Sequence, residues 1–377
     1  MIYLDNAATT FPKSEHVYAA MDQVNRNLAV NAGRGSYAAA KTASSLISET
    51  KDKLSTLFHA NGIADIVFTP SVTHAINQVL WGLDISADTV IYITPYEHNA
   101  VARTIEAIRK ETGCKVEFIP INDDLTIDID QTGYAFSTLP PDVVIMNAIS
   151  NVTGYILPIK EICEEAKVYD AFTVIDAAQA AGLIDLNIQE LKADVLCFAG
   201  HKTLEGPFGI GGFAIRQNAA KNVRPAFFGG TGSNSLVIDM PSNSPERYEA
   251  SSPNIVAIAG LNAALEENKQ AEHYAILKDL TQYLIQALHS VNKIRVLGET
   301  DSQIAIASFV VEGYESADVG TILDEEYNIA VRTGYHCAPY IHKYLDDKSY
   351  AGTVRIGLGK YNTKEEIATL ISALNTL

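Results

Sequence analysis

Residues 172–212 read FTVIDAAQAAGLIDLNIQELKADVLCFAGHKTLEGPFGIGG. Two short apolar runs stand out, Phe172–Asp176 and Val195–Ala199. Neither alternates polar with apolar, which is the pattern of a strand covered on both faces. Asp176 closes the first run, and Gly200, His201 and Lys202 follow the second directly. Working outward, the same texture continues. The spacing predicts a helix over Ala38–His59, a strand over Asp65–Thr69, a helix over Val72–Leu83 and a strand over Thr89–Thr94. A helix from about Glu97 to Thr112, strands over Lys115–Pro120 and Asp142–Asn147, and a helix near Ile159–Tyr169 follow. Strands buried on both faces and alternating with helices define an α/β fold around a mainly parallel sheet.

The 377 residues exceed what one small core organises, so a large unit with a smaller companion is expected. The composition shifts near Pro253: longer helical runs begin at Asn254, and a strand returns around Ile304–Val311. The expected division is a large α/β unit over 16–255 and a smaller α+β unit formed by 1–15 with 256–377. The formal net charge of -17 disfavours nucleic acid and anionic membrane surfaces as partners. No run of eighteen apolar residues is present, so no transmembrane helix is expected. The beginning, MIYLDNAATTFPK, carries no apolar signal core. Cys114, Cys163, Cys197 and Cys337 show no CxxC spacing and no metal-ligand pattern, which points to a reducing, cytoplasmic setting and no metal.

Ligands of open α/β sheets bind at the carboxyl ends of the strands. An acid there needs a partner; a pyridinium nitrogen is one, and a helix cap is the plainer alternative for Asp176. A lysine directly after a buried strand and among glycines is unusual, because lysines stay at the surface. Lys202, desolvated, suits Schiff-base chemistry. Together the two residues point to pyridoxal phosphate. In FTPSVTHAINQ (68–78), Ser71, Val72 and Thr73 sit where a strand turns into a helix, a natural cradle for a phosphate group or a simple N-cap.

In order along the chain, YLDNAATT, FTPSVTHAIN, YEHNAV, ISNVTG, VIDAAQA, GHKTLEGPFGIGG, YEASSPN and VRTGYHCAP resemble the cysteine desulfurases, a branch of the class V aminotransferase-like, fold type I pyridoxal-phosphate enzymes. The resemblance spans nearly the whole chain and implies a large domain with a seven-stranded, mainly parallel sheet. It implies that Lys202 carries the cofactor and moves protons, that Asp176 pairs with the pyridine nitrogen, and that His98 stacks on the ring and shuttles protons. Asn151 and Gln179 would bond the ring hydroxyl. Val72, Thr73 and His201 would hold the phosphate, with Gly230 and Ser252 reaching the site of a second subunit in a homodimer. Arg355 would clamp the substrate carboxylate, with Arg332, Asn6 and Ala7 also lining the substrate site. Cys337, beside His336 and near Arg332, would take sulfur from L-cysteine as a persulfide, leaving L-alanine and passing the sulfur to an acceptor protein or thiol. A selenocysteine lyase, another C–S lyase or an aminotransferase of the same family is the alternative. The chain departs from the pattern at Ala199, where a phosphate-binding serine is usual, and at Val72, His74 and Tyr335.

Overall fold

The structure, a computed structural model, describes residues 1–32, 35–232 and 236–377. Its elements begin with β1 (Ile2–Tyr3), α1 (Glu15–Asn27), α2 (Ala38–Leu57), β2 (Ala64–Thr69), α3 (Val72–Gly82), β3 (Val90–Ile93), α4 (Asn99–Thr112) and β4 (Lys115–Phe118). Then come α5 (Ile129–Thr138), β5 (Val143–Asn147), α6 (Ile159–Lys167), β6 (Phe172–Asp176), β7 (Val195–Ala199), β8 (Gly211–Arg216) and α7 (Gln217–Ala220). The remainder runs α8 (Ile255–Glu267), α9 (Gln270–His289), β9 (Ile294–Leu297), β10 (Ile306–Val311), α10 (Ser316–Tyr327), β11 (Ile329–Ala330), β12 (Arg332–Gly334), β13 (Thr353–Gly357) and α11 (Lys364–Leu374).

Seven strands form the main sheet in the order β2-β8-β7-β6-β5-β3-β4. Only β8 runs against its neighbours, pairing antiparallel with both β2 and β7. Strands β3, β5, β6 and β7 are buried along their whole length, as their unbroken apolar sequences demand. Edge strand β4 is largely exposed, and its Lys115 and Glu117 discourage further pairing. Helix α4 buries Val101, Ile105 and Ile108, a stripe at helical spacing, and stops at Gly113 in the left-handed conformation.

A second sheet of four antiparallel strands, β12-β13-β10-β9, carries the carboxyl-terminal motifs, and β1 pairs in parallel with β11. Beyond β1, Asp5 bridges to Gly357 at the end of β13. Residues 2–10 thus run from the second sheet toward the first, ending against the loop after β7, where Thr10 N–H donates to the His201 carbonyl at 3.1 Å.

Three elements carry no clear signal in the sequence. Helix α1 buries only Val17 fully, so its apolar stripe is short. Helix α5 has Gly133 in its middle and a largely exposed face. Strand β8 opens with Gly211 and Gly212, which read as the tail of a glycine-rich loop. Gly211 is required by packing: a Cβ there would meet the backbone of Ser71 and Val72 at 2.7–2.8 Å.

Candidate active site

The carboxyl ends of β2, β3, β5, β6 and β7 converge, and each delivers a residue marked in the sequence. Asp176 ends β6, buried, and its Oδ1 accepts from Ala178 N–H at 2.9 Å. Burial raises its pKa and the nearby Lys202 opposes that rise, so the site needs cationic company for the acid. Lys202 follows β7 by way of Gly200 and His201. Its backbone is clamped from the chain's beginning: Thr10 Oγ1 donates to the Lys202 carbonyl at 2.8 Å and Thr9 Oγ1 to the His201 carbonyl at 2.9 Å. Desolvation brings the Lys202 amine down to about 8, against the pull of Asp176 and with help from Arg355 and Arg332. Lys202 Nζ has no hydrogen bond among the described residues.

His98 follows β3 and caps α4 with its ring: Nδ1 accepts from Ala100 N–H at 3.0 Å. The proton of the neutral imidazole therefore sits on Nε2. Burial holds the ring neutral, down to about 3, with Lys202, Arg332, Arg355 and Arg103 adding to the effect. Beneath it lies Glu97, a fully buried carboxyl that the sequence reading passed over. Its Oε1 accepts from Thr94 Oγ1 at 2.5 Å and from Asn147 N–H at 3.0 Å, and Oε2 is unpartnered. Burial pushes Glu97 up to about 8; it is a neutral acid at neutral pH.

Asn151, in the turn after β5, donates from Nδ2 to the His336 carbonyl at 2.7 Å, while its Oδ1 is buried without a partner. Gln179 donates to the Ala7 carbonyl at 2.7 Å. His201 stacks on Phe208 at 4.6 Å with Nδ1 buried and unpartnered; burial takes it down to about 4. At the start of α3, Ser71 caps the helix by accepting from His74 N–H, Val72 is buried and Thr73 is exposed. Gly230 and Ser252 lie on the exposed surface, and the Gly230 carbonyl accepts from the neighbouring Ser251 N–H at 2.8 Å.

Arg355, on β13, is 1% exposed. One terminal nitrogen donates to Asp5 Oδ1 at 2.6 Å, the other to the Asn151 carbonyl at 2.9 Å, and Nε has no partner. The guanidinium is thus already oriented by the chain. Asn6 differs from expectation: its amide nitrogen is taken by the Gly357 carbonyl and Asn362, and its oxygen by Phe11 N–H. Its side chain holds the segment in place and has little left for a ligand, and Ala7 contributes its carbonyl to Gln179.

Cys337 is the half-buried one of four free cysteines; the other three are buried. It lines a cleft of about 850 Å³ between the outer face of α4 and the loop that carries it, with Arg103, Lys110, Arg332 and Tyr340 around it. Arg332 donates to Cys337 Sγ at 3.3 Å and brings its cationic guanidinium against the sulfur. His336 does not add to this. It is buried and held well below its ordinary value, first by burial and then by Arg355, so its ring is neutral. Cys337 and His336 both have positive φ, 59° and 44°, inside a turn closed by Ala338 N–H donating to the Tyr335 carbonyl at 3.0 Å. Non-glycine residues in that region cost of order 1–3 kcal/mol each, and the turn is tied accordingly. The His336 carbonyl is held by Asn151 and the Cys337 carbonyl by Asn99 N–H at 2.6 Å.

The site fits pyridoxal phosphate. An unpartnered amine stands beside a buried acid, Asn151 Oδ1 and His201 Nδ1 are open polar atoms, and the start of α3 offers backbone N–H groups. The fold is that of the fold type I pyridoxal-phosphate-dependent transferases. Comparison narrows the group: the family model for aminotransferase class-V matches residues 2–370, and the chain belongs to that family. It is 32% identical to a probable cysteine desulfurase of Haemophilus influenzae, over 100% of this chain and 85% of the relative. The apo structure of a cysteine desulfurase from Thermococcus onnurineus NA1 superposes with TM-score 0.93 at 30% identity, covering 100% of this chain and 94% of that one. The cysteine desulfurase CsdA from Escherichia coli, in its S-sulfonic acid form, gives TM-score 0.86 at 28% identity, covering 99% and 94%.

Proposed function

We propose that this protein is a pyridoxal-phosphate-dependent cysteine desulfurase that takes sulfur from L-cysteine onto Cys337 and releases L-alanine. The observation that carries the reading is the half-buried Cys337 thiol, contacted by Arg332 at 3.3 Å and set in a turn whose carbonyls are held by Asn151 and Asn99. When bound, pyridoxal phosphate supplies an electron sink that acidifies the substrate's α-hydrogen and weakens its carbon–sulfur bond. The chain's residues do the rest. Lys202 holds the cofactor through Nζ and moves the proton at the substrate α-carbon; an amine near 8 serves as both acid and base at physiological pH. Asp176 supports positive charge on the pyridine nitrogen. His98, with its proton on Nε2, would cover the ring. Asn151 and Gln179 orient the ring, and Val72, Thr73 and His201 hold the phosphate. Arg355, pre-aimed by Asp5, receives the substrate carboxylate with Arg332. Cys337 Sγ then bonds to the substrate sulfur as the carbon–sulfur bond breaks, and the electron pair and a proton return to carbon. A thiol acceptor, protein or small molecule, takes the sulfur and regenerates Cys337.

The same reading includes a homodimer in which Gly230 and Ser252 reach the partner's phosphate. Its support is their exposure together with that of the apolar Phe227, Phe228, Val237 and Ile238 in the same stretch of sequence as Gly230, side chains of the kind that interfaces cover. It also includes the division at residues 16–255, supported by the seven- and four-stranded sheets falling on either side of it, and a cytoplasmic setting, supported by four free thiols. No described helix is long and apolar enough to cross a membrane.

The test is incubation of holoenzyme with L-cysteine, scoring L-alanine and one added sulfur on the Cys337 peptide by mass spectrometry. Keto-acid product without persulfide would favour the aminotransferase or lyase alternative, and turnover of selenocysteine alone the selenocysteine lyase.

A further inference from the structure

Five residues beyond Cys337, His342 lies in a 3₁₀ turn (Ile341–Lys343) that the proposed chemistry does not use. Its side chain is 5% exposed and that of its partner Asp347 is 1% exposed. His342 Nδ1 meets Asp347 Oδ2 in a short contact, and Nε2 lies 3.0 Å from the Tyr335 carbonyl. A carbonyl only accepts, so Nε2 carries a proton and donates it. The Tyr335 ring stands edge-on to His342, with centroids 5.1 Å apart.

The Tyr335 carbonyl is the atom that closes the Cys337 turn, since Ala338 N–H donates to it. Turns with two consecutive positive-φ residues favour Asn-Gly, and here the two are His336 and Cys337. The local sequence therefore does not make this shape by itself. Asp347 is anchored in turn: its carbonyl accepts from Tyr350 N–H at 3.0 Å and Gly352 N–H at 3.1 Å. Gly352 has φ 101° and passes so close to Gly334 that any Cβ would stand 2.5 Å from its carbonyl group. The pair thus couples the Cys337 turn to the loop that leads into β13 and Arg355.

A buried polar pair of this kind is costly, and well-packed apolar side chains in its place would often stabilise the fold equally. What apolar side chains cannot do is donate to the Tyr335 carbonyl. We propose that the His342–Asp347 pair is a positioning element for sulfur transfer, holding the Cys337 turn in register with the cofactor-side residues. The inference rests on the reading of Cys337 as sulfur acceptor.

The test uses holoenzyme carrying His342→Ala, His342→Gln or His342→Asn, with L-cysteine as substrate. His342→Ala is expected to lower kcat for sulfide release at least tenfold with KM changed less than twofold. The visible-spectrum response to L-cysteine should persist, because the pair touches no group on the Lys202 side. His342→Gln, whose amide reaches as far as Nε2, should recover most of the rate; the shorter His342→Asn should not. A kcat within twofold of the parent for His342→Ala overturns the proposal. If that variant does not fold, equal kcat values for Gln and Asn overturn it instead. Cys337→Ser, run in parallel, separates the failures: full turnover there removes the sulfur-acceptor reading itself, whereas a loss there with no loss in the His342 variants removes only the positioning role.

Discussion

Lys202 and Cys337 face one site, but they are put there by different means. Lys202 stands at the end of a fully buried strand in a seven-stranded sheet, and its position is a property of the sheet. Cys337 stands in a left-handed turn whose shape comes from hydrogen bonds contributed by Asn99, Asn151 and His342. The first placement is spread over dozens of packed side chains; the second hangs on a few. Positions of the first kind resist single substitutions, and positions of the second kind can be tuned or lost by one.

The hardest break is at the amine. Lys202→Ala removes Nζ and leaves the Thr9 and Thr10 clamp on the backbone intact, so the protein should fold with an unchanged melting temperature and turn over L-cysteine at less than a few per cent of the parent rate. Activity above that level would show that another residue does the work of Lys202. Next in size is Cys337→Ser. A hydroxyl is a poor nucleophile toward sulfur, so sulfide release with a reducing thiol should fall at least a hundredfold, with the spectral response to cysteine retained. Near-parental turnover would move the protein to the lyase alternative.

A smaller effect belongs to pH. The Lys202 amine sits near 8 and is reactive only when neutral. Below that value each pH unit leaves about a tenth as much neutral amine, so cofactor loading of apoprotein should quicken as pH rises and level off above about 8. A rate flat from pH 6.5 to 9, followed by cofactor absorbance, would contradict the depressed amine. The smallest change comes from Ala199→Ser. Ala199 is 1% exposed at the end of β7, two residues before His201. A hydroxyl there gains a phosphate partner in the holoprotein at a net of about 1 kcal/mol, a several-fold gain in cofactor affinity by titration. Unchanged affinity would show the phosphate already saturated by α3 and His201.

The same contrast explains what the sequence disclosed. The strands ending at Asp176 and Ala199 were legible to the residue, because unbroken apolar runs leave little choice. Helix α3 was legible to within one residue, its serine cap and apolar stripe agreeing, with Leu83 standing just past its end. Asp5, Thr9, Thr10, Glu97 and the His342–Asp347 pair were not, since each acts through a partner distant in sequence or through a backbone atom, and neither leaves a periodic trace. Glu97 offered one usable sign: an acid between Tyr96 and His98, four residues past a buried strand and at the start of a helix, has little solvent to face. His336 was legible as a neighbour of Cys337 but not as a neutral one, because its burial, its contact with Thr353 and the charge of Arg355 all come from the fold.

Asp5 and Arg355 are 350 positions apart in sequence and in direct contact. On a ribosome, residues 2–10 therefore leave the exit tunnel long before β11 and β13, with which they pair, have been made. The main sheet can assemble meanwhile, since β2 through β8 lie between them, and Thr9 and Thr10 have their partners at His201 and Lys202 once β7 is made, while β1 waits with an unpaired edge. Domains fold as units during synthesis and such edges invite wrong partners. The Asp5–Arg355 contact is thus completed only as the last tenth of the chain appears, so a nascent chain that stalls early holds Lys202 without the arginine that Asp5 orients.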